Sequence, residues 1–243
     1  MTKRPHSRVE TGTGTAGAKD TRAALIRAAT IQFGEHGFAG TSIRSIAAEA
    51  KVNLALISYH FGGKDGLYEA CALNIADTLR QAVGTGLTAA AEQGKPIGPD
   101  EALAVLENAI RSLVGFIVAN SQSRHFVMFV VRELSHPGRN LEIIFSQVFE
   151  PVHRAACRLY ASAAGGDAED PSVKLAVFSV VGQVIYFRLA MPIVQRRMGW
   201  AETSSGEAGE IEAQIVTNLR DCVHAARRRN GAGMTPTRNG PAS

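Results

Sequence analysis

Apolar positions recur at helical spacing along most of the chain, and turn-forming residues cut that pattern into segments. Leu25, Ala28, Ala29, Gln32 and Phe33 share the inner face of a first helix, which Asp20 or Thr21 can cap and which ends near Glu35-His36-Gly37. Ile43, Ile46, Ala47 and Ala50 fall at i, i+3, i+4 and i+7 of a second, short helix capped by Thr41 or Ser42. Asn53 caps a third, which carries Leu54, Ile57 and Phe61 and ends at Gly62-Gly63. A fourth starts near Lys64. After a loop at 94–99, helices are expected over 101–119, 123–135, 140–163, 172–197 and 207–228. Ser121, His136-Pro137-Gly138, Gly165-Gly166-Asp167 and the run Glu202–Glu207 separate them. Few alternating β-branched runs appear, so the fold class is all-α. Residues 1–19 and 230–243 lack apolar periodicity and read as a disordered basic arm and a disordered tail. The expected organisation is therefore arm 1–19, small helical domain 20–66, larger helical domain 67–229 and tail 230–243.

Composition narrows the class. Of 243 residues, 45% are hydrophobic and 20% charged, enough for a sizeable core. The chain opens on polar and basic residues rather than the apolar stretch of a secretory leader. The longest apolar stretch, Val173–Val194, is interrupted by Lys174, Gln183, Arg188 and Pro192, so no membrane span is expected. Cys71, Cys157 and Cys222 are far apart and unpaired in pattern, as in a reducing compartment, so a cytoplasmic location is expected.

Charge is uneven. Residues 1–64 carry nine Lys/Arg against four Asp/Glu, residues 65–226 carry thirteen against eighteen, and the remainder carries four Arg and no acid. A basic end on an acidic body suits a protein that meets a polyanion with one end. A merely solvated charged face would give the same pattern.

Residues 42–60 hold two short helices with a three-residue connection, Lys51-Val52-Asn53, which is the size of a helix-turn-helix. Ala47 supplies the small residue where the helices cross, and Ile46, Val52 and Ile57 lock the second onto the first. With those inward, Asn53, Ala55, Ser58, Tyr59 and His60 face out. These are small or hydrogen-bonding groups that fit a major groove about 12 Å wide. Thr41, Ser42 and Arg44 stand at a helix start, where free N–H groups and the dipole meet a phosphate, and Lys64 adds a point charge.

The segment TSIRSIAAEAKVNLALISYHFGGKDGLYEA resembles the signature of the TetR family of transcription regulators, and its second half resembles the CecR (YbiH-like) branch. The DNA-binding resemblance covers roughly residues 20–70. Further on it rests on helix count and on Arg132-Glu133-Leu134-Ser135-His136-Pro137. It implies a helix-turn-helix domain followed by a helical domain that dimerises, through the helices near 140–163 and 172–197, and binds ligand. It further implies a repressor released from a palindromic operator by a small apolar or amphipathic effector. One residue departs from the pattern: the first turn residue, commonly Gly in the family, is Lys51 here. If left-handed, a side chain there costs roughly 1 kcal/mol. Candidate pocket residues are Phe116, His125, Phe129, Arg132, Gln183, Tyr186 and Phe187, although helical core explains most such positions equally well.

Other chemistry finds little footing. Gly12–Gly17 matches GxGxxG, but no strand precedes it. The seven His are scattered without metal spacing, and no GxSxG appears. No cofactor, metal or catalytic set is expected. The competing reading is an all-helical small-molecule-binding protein or enzyme in which residues 41–64 are only scaffold.

Overall fold

A computed structural model describes residues 14–92, 96–120 and 123–232, and all regular structure among them is helical. Four helices open the chain: α1 (Gly14–Gly40), α2 (Ile43–Ala50), α3 (Ala55–Phe61) and α4 (Lys64–Leu79). Leu25, Ala29 and Phe33 of α1 meet Ile46, Ile57 and Leu67 from the other three in one fully buried cluster. This small domain is the head. The start of α1 differs from expectation, because residues 14–19 are helical and Asp20 and Thr21 lie inside the helix. Ala16, Ala18 and Lys19 are good helix formers and prolong a helix nucleated further on. Residues 1–13 of the expected arm lie outside the described residues. Near its end α1 breaks at Gly37 (φ 71°, ψ 175°).

A π-helical turn at Arg80–Gly84 carries α4 on into α5 (Thr85–Glu92). The body continues with α6 (Pro99–Val114), extended by a π turn to Ala119, then α7 (Ser123–Ser135) and α8 (Arg139–Ile144). A third π-helical stretch, Phe145–Phe149, leads into α9 (Glu150–Ala164), followed by α10 (Pro171–Leu189), α11 (Met191–Met198) and α12 (Ser205–Ala232). The expected helix over 172–197 is thus divided at Ala190, because Pro192 has no N–H to offer the carbonyl of Arg188. The last helix passes residue 230, where a tail was expected, and residues 233–243 lie outside the described residues.

α9 is the centre of the body, packed by α5, α6, α10 and α12, with Ala155, Ala156, Leu159, Tyr160 and Ala163 buried. Its alanines let the neighbouring backbones approach. α6 and α12 are joined by Glu107, whose carboxylate accepts two hydrogen bonds from Arg220 at 2.6 and 2.7 Å. Pro99–Ala119 and Pro171–Leu189 are long and apolar enough to cross a membrane, yet both contribute to the body core. α10 carries apolar residues on both its inner and its outer face. Val173, Val177, Val180 and Val184 point inward, while Leu175, Phe178, Tyr186 and Leu189, with Ile193 of α11, form an exposed stripe.

Candidate nucleic-acid interface and ligand cavity

α2 begins at Ser42, whose hydroxyl accepts the Ser45 N–H at 3.0 Å. It ends at Lys51, the one non-glycine residue with positive φ among the described residues (φ 56°, ψ 42°). The N–H groups of Lys51 and Val52 close on the carbonyls of Ala48 and Ala47, a Schellman-type end. Asn53 then accepts the Ala55 N–H at 2.8 Å and starts α3. Ile46, Ala47 and Ile57 are buried, with Val52 packed beside them. The opposite face of α3 shows Asn53, Ala55, Ser58 and Tyr59, the last 80% exposed, and His60 lies edge-on to Tyr59. Arg44 is exposed on α2. Lys64 is half-buried at the start of α4, its ammonium 4.3 Å from the centre of the Phe38 ring. Gly66 fixes α3 against α4, since a Cβ there would lie 1.9 Å from the Phe61 carbonyl oxygen.

Thr41 does not belong with the phosphate contacts. It is buried, and its hydroxyl lies 2.8 Å from the Gly37 carbonyl and 3.0 Å from that of Gln32. It ties the kinked end of α1 to the start of α2 instead of facing solvent.

The body holds a cavity of about 250 Å³, partly open to solvent, between α6, α7, α9 and α10. Of the seven expected pocket residues, Phe116 is on its wall; the other six are elsewhere. His125 Nδ1 lies 3.8 Å from a Glu35 carboxylate oxygen, on the head side of α7. Phe129 is buried in the head's cluster, its ring 5.0 Å from that of Tyr68. Arg132 donates from Nε to the Gly34 carbonyl at 2.9 Å and from Nη2 to that of Glu35. Gln183 accepts from Asn218 at 2.7 Å. Tyr186 belongs to the exposed α10 stripe, and Phe187 packs on the outside of the body core. The wall instead comes from Phe126, Val127, Val130, Val131 and Leu134 of α7, Ile110 of α6, and His153 and Tyr160 of α9, among others. The spacing of Val127, Val130, Val131 and Leu134 is the signal that marks this wall.

α7 therefore has two working faces. One lines the cavity. The other carries Phe129, Arg132 and Glu133 into the head. The Tyr68 hydroxyl donates to the buried Glu133 carboxylate, and burial together with that carboxylate raises the phenol's pKa. α1 crosses α7 at Gly34, where a Cβ would stand 3.0 Å from the His125 carbonyl oxygen. Cys71 and Cys157 are buried free thiols, and Cys222 is exposed. Among the described residues no cluster of His, Cys, Asp or Glu could hold a metal ion.

Comparison with known proteins adds to this geometry. Residues 25–71 match the family described as bacterial regulatory proteins, tetR family. Residues 102–225 match the C-terminal domain of the HTH-type transcriptional dual regulator CecR. The chain is 33% identical to CecR of Shigella flexneri over 201 residues, which is 82% of this chain and 89% of that protein. Among solved structures, AibR in complex with isovaleryl coenzyme A and operator DNA superposes with a TM-score of 0.59 at 16% identity, covering 81% of this chain and 96% of AibR. A TetR-like regulator from Rhodococcus sp. RHA1 superposes with a TM-score of 0.52 at 18% identity, covering 88% and 96%. Those two likenesses are of fold.

Proposed function

Because the chain belongs to the TetR family of bacterial transcription regulators, in the CecR branch, we propose that it is a repressor whose paired heads hold a palindromic operator and release it when a small molecule fills the body cavity. It regulates transcription and is not an enzyme. It acts in the cytoplasm, where its operator lies. The observation that carries the reading is the exposed α3 face of Asn53, Ala55, Ser58 and Tyr59, backed by the closed core of Ile46, Ala47 and Ile57. Small and hydrogen-bonding side chains there meet base edges, while Arg44, Ser42, His60 and Lys64 take phosphates.

Regulators of this family act as dimers. α9 is wrapped by its own chain, which leaves the exposed stripe of Leu175, Phe178, Tyr186, Leu189 and Ile193 as the surface that α10 and α11 bring to a second copy. Pairing there presents the two α3 helices to successive major grooves, about 34–36 Å apart. Release requires an effector that binds one head spacing better than the other. α7 supplies the connection: a ligand pressing on Val127, Val130 and Val131 bears directly on the helix whose Arg132 and Glu133 hold α1 and α4.

Footprinting of the purified chain on DNA from around its own gene tests the proposal. The expected result is one protected site with two inverted half-sites, weakened by an effector. Protection without sequence preference would overturn it. The Shigella flexneri relative is a dual regulator, so transcription from the protected promoter is measured in both directions.

A further inference from the structure

The cavity wall is unusual in its charge. No Lys, Arg, Asp or Glu is among the residues lining the 250 Å³ space, and its polar side chains are His153 and Tyr160. Both are neutral at pH 7. Burial lowers the His153 imidazole pKa and raises that of the Tyr160 phenol. The His153 ring is also spoken for: Nε2 lies 3.3 Å from the Lys174 carbonyl oxygen, and the ring stacks on Phe178 with centroids 4.0 Å apart. The Tyr160 phenol has no hydrogen-bond partner among the described residues.

An ionised group entering such a space gives up its hydration and finds no counter-charge, which is severely unfavourable. An apolar group entering it trades water for close contact with valine, leucine and phenylalanine side chains. Size sets a second limit. A dry apolar cavity of about 150 Å³ holds benzene, so this one has room for a two-ring molecule.

Resting on the regulator reading above, we propose that the effector is an uncharged, mainly hydrocarbon or aromatic molecule of about two rings, bearing at most a hydroxyl or carbonyl group, and that carboxylates, phosphates and ammonium compounds are excluded. AibR, by contrast, was solved with a coenzyme A thioester, whose phosphates this wall has no cation to meet.

Three probes of one shape isolate the charge: 2-naphthol, 2-naphthoate and 2-naphthylmethylammonium, each titrated into the full chain by calorimetry at pH 7. Naphthol is expected to bind at least ~100-fold more tightly than either ion. Equal or tighter binding of naphthoate, or no binding of naphthol, overturns the inference. Val127→Phe and Ala109→Leu each fill the cavity from a different helix. In whichever variant retains the wild-type circular dichroism, naphthol binding is expected to fall at least ~10-fold, and unchanged binding places the probe elsewhere and overturns the assignment. Operator affinity of the unliganded wild-type chain is measured on the same preparation. Its absence sinks the regulator reading, whereas a preference for naphthoate with operator binding intact sinks only the ligand class.

Discussion

Lys51→Gly is the substitution whose effect follows most directly from the backbone. Lys51 ends α2 in the left-handed region at φ 56° and ψ 42°, with its side chain in solvent. Its Cβ crowds the following carbonyl there, at a cost of about 1–2 kcal/mol, and glycine removes that crowding. Part of the gain is lost to glycine's greater freedom in the unfolded chain, leaving a net of roughly 1 kcal/mol. For a chain of this length that corresponds to a rise of about 2–4 °C in Tm. Thermal unfolding followed by circular dichroism measures it. Lys51→Ala serves as the control: it removes the same charge but keeps the Cβ, so Tm should stay near wild type. A lysine that only occupies this turn, without touching DNA, leaves the salt dependence of operator binding unchanged in Lys51→Gly. A phosphate contact would instead lower the slope by about 0.9 per head. If Lys51→Gly left Tm unchanged or lowered it, strain at this turn would be offset by contacts of the lysine, and the reasoning would be refuted.

Gly66→Ala drives a methyl group into the Phe61 carbonyl, 1.9 Å away, so the head should lose its fold while the body keeps its own, seen as loss of operator binding with retained α9 amide protection in hydrogen exchange. Arg132→Ala removes two charge-assisted hydrogen bonds to the carbonyls of Gly34 and Glu35. Exchange at the end of α1 should accelerate at least ~10-fold, with naphthol binding in the cavity unchanged. Glu107 is held below the ordinary carboxylate pKa, first by its hydrogen bonds to Arg220 and then, against opposing burial, by Arg111. Its contribution is therefore present above the unfolded pKa of about 4.3 and is lost as pH falls through the lower folded value. Urea denaturation should show Glu107→Gln less stable by about 1–3 kcal/mol at pH 7, with the gap closing below pH 4.

The head was legible because its information is local. Ile46, Ala47, Val52 and Ile57 are within twelve positions of one another, and their spacing alone fixes which side of α3 is left facing outward. Even the anomaly at Lys51 was visible as a residue type in a place that needs positive φ. Thr41 was not, because a threonine at a helix start looks the same whether its hydroxyl turns to solvent or back to Gln32 and Gly37. The cavity was obscured for a different reason. α7 is covered on both sides, so Phe126, Val130 and Phe129 all read as buried, and periodicity cannot tell which neighbour each one meets. Phe129 meets the head and Val127 the cavity, two residues apart. α10 poses the same difficulty, since an apolar residue on any of its faces fits core and subunit interface alike.

The central claim is that the α3 face and its flanking cations grip DNA. It is tested most directly by operator affinity of the wild-type chain and of Arg44→Ala across a series of salt concentrations. In the wild type, log K should fall linearly with log salt. Arg44→Ala, which removes one phosphate contact per head and two per dimer, should lower the magnitude of that slope by about 1.8. A wild-type affinity that does not respond to salt, or an Arg44→Ala slope indistinguishable from wild type, would contradict it.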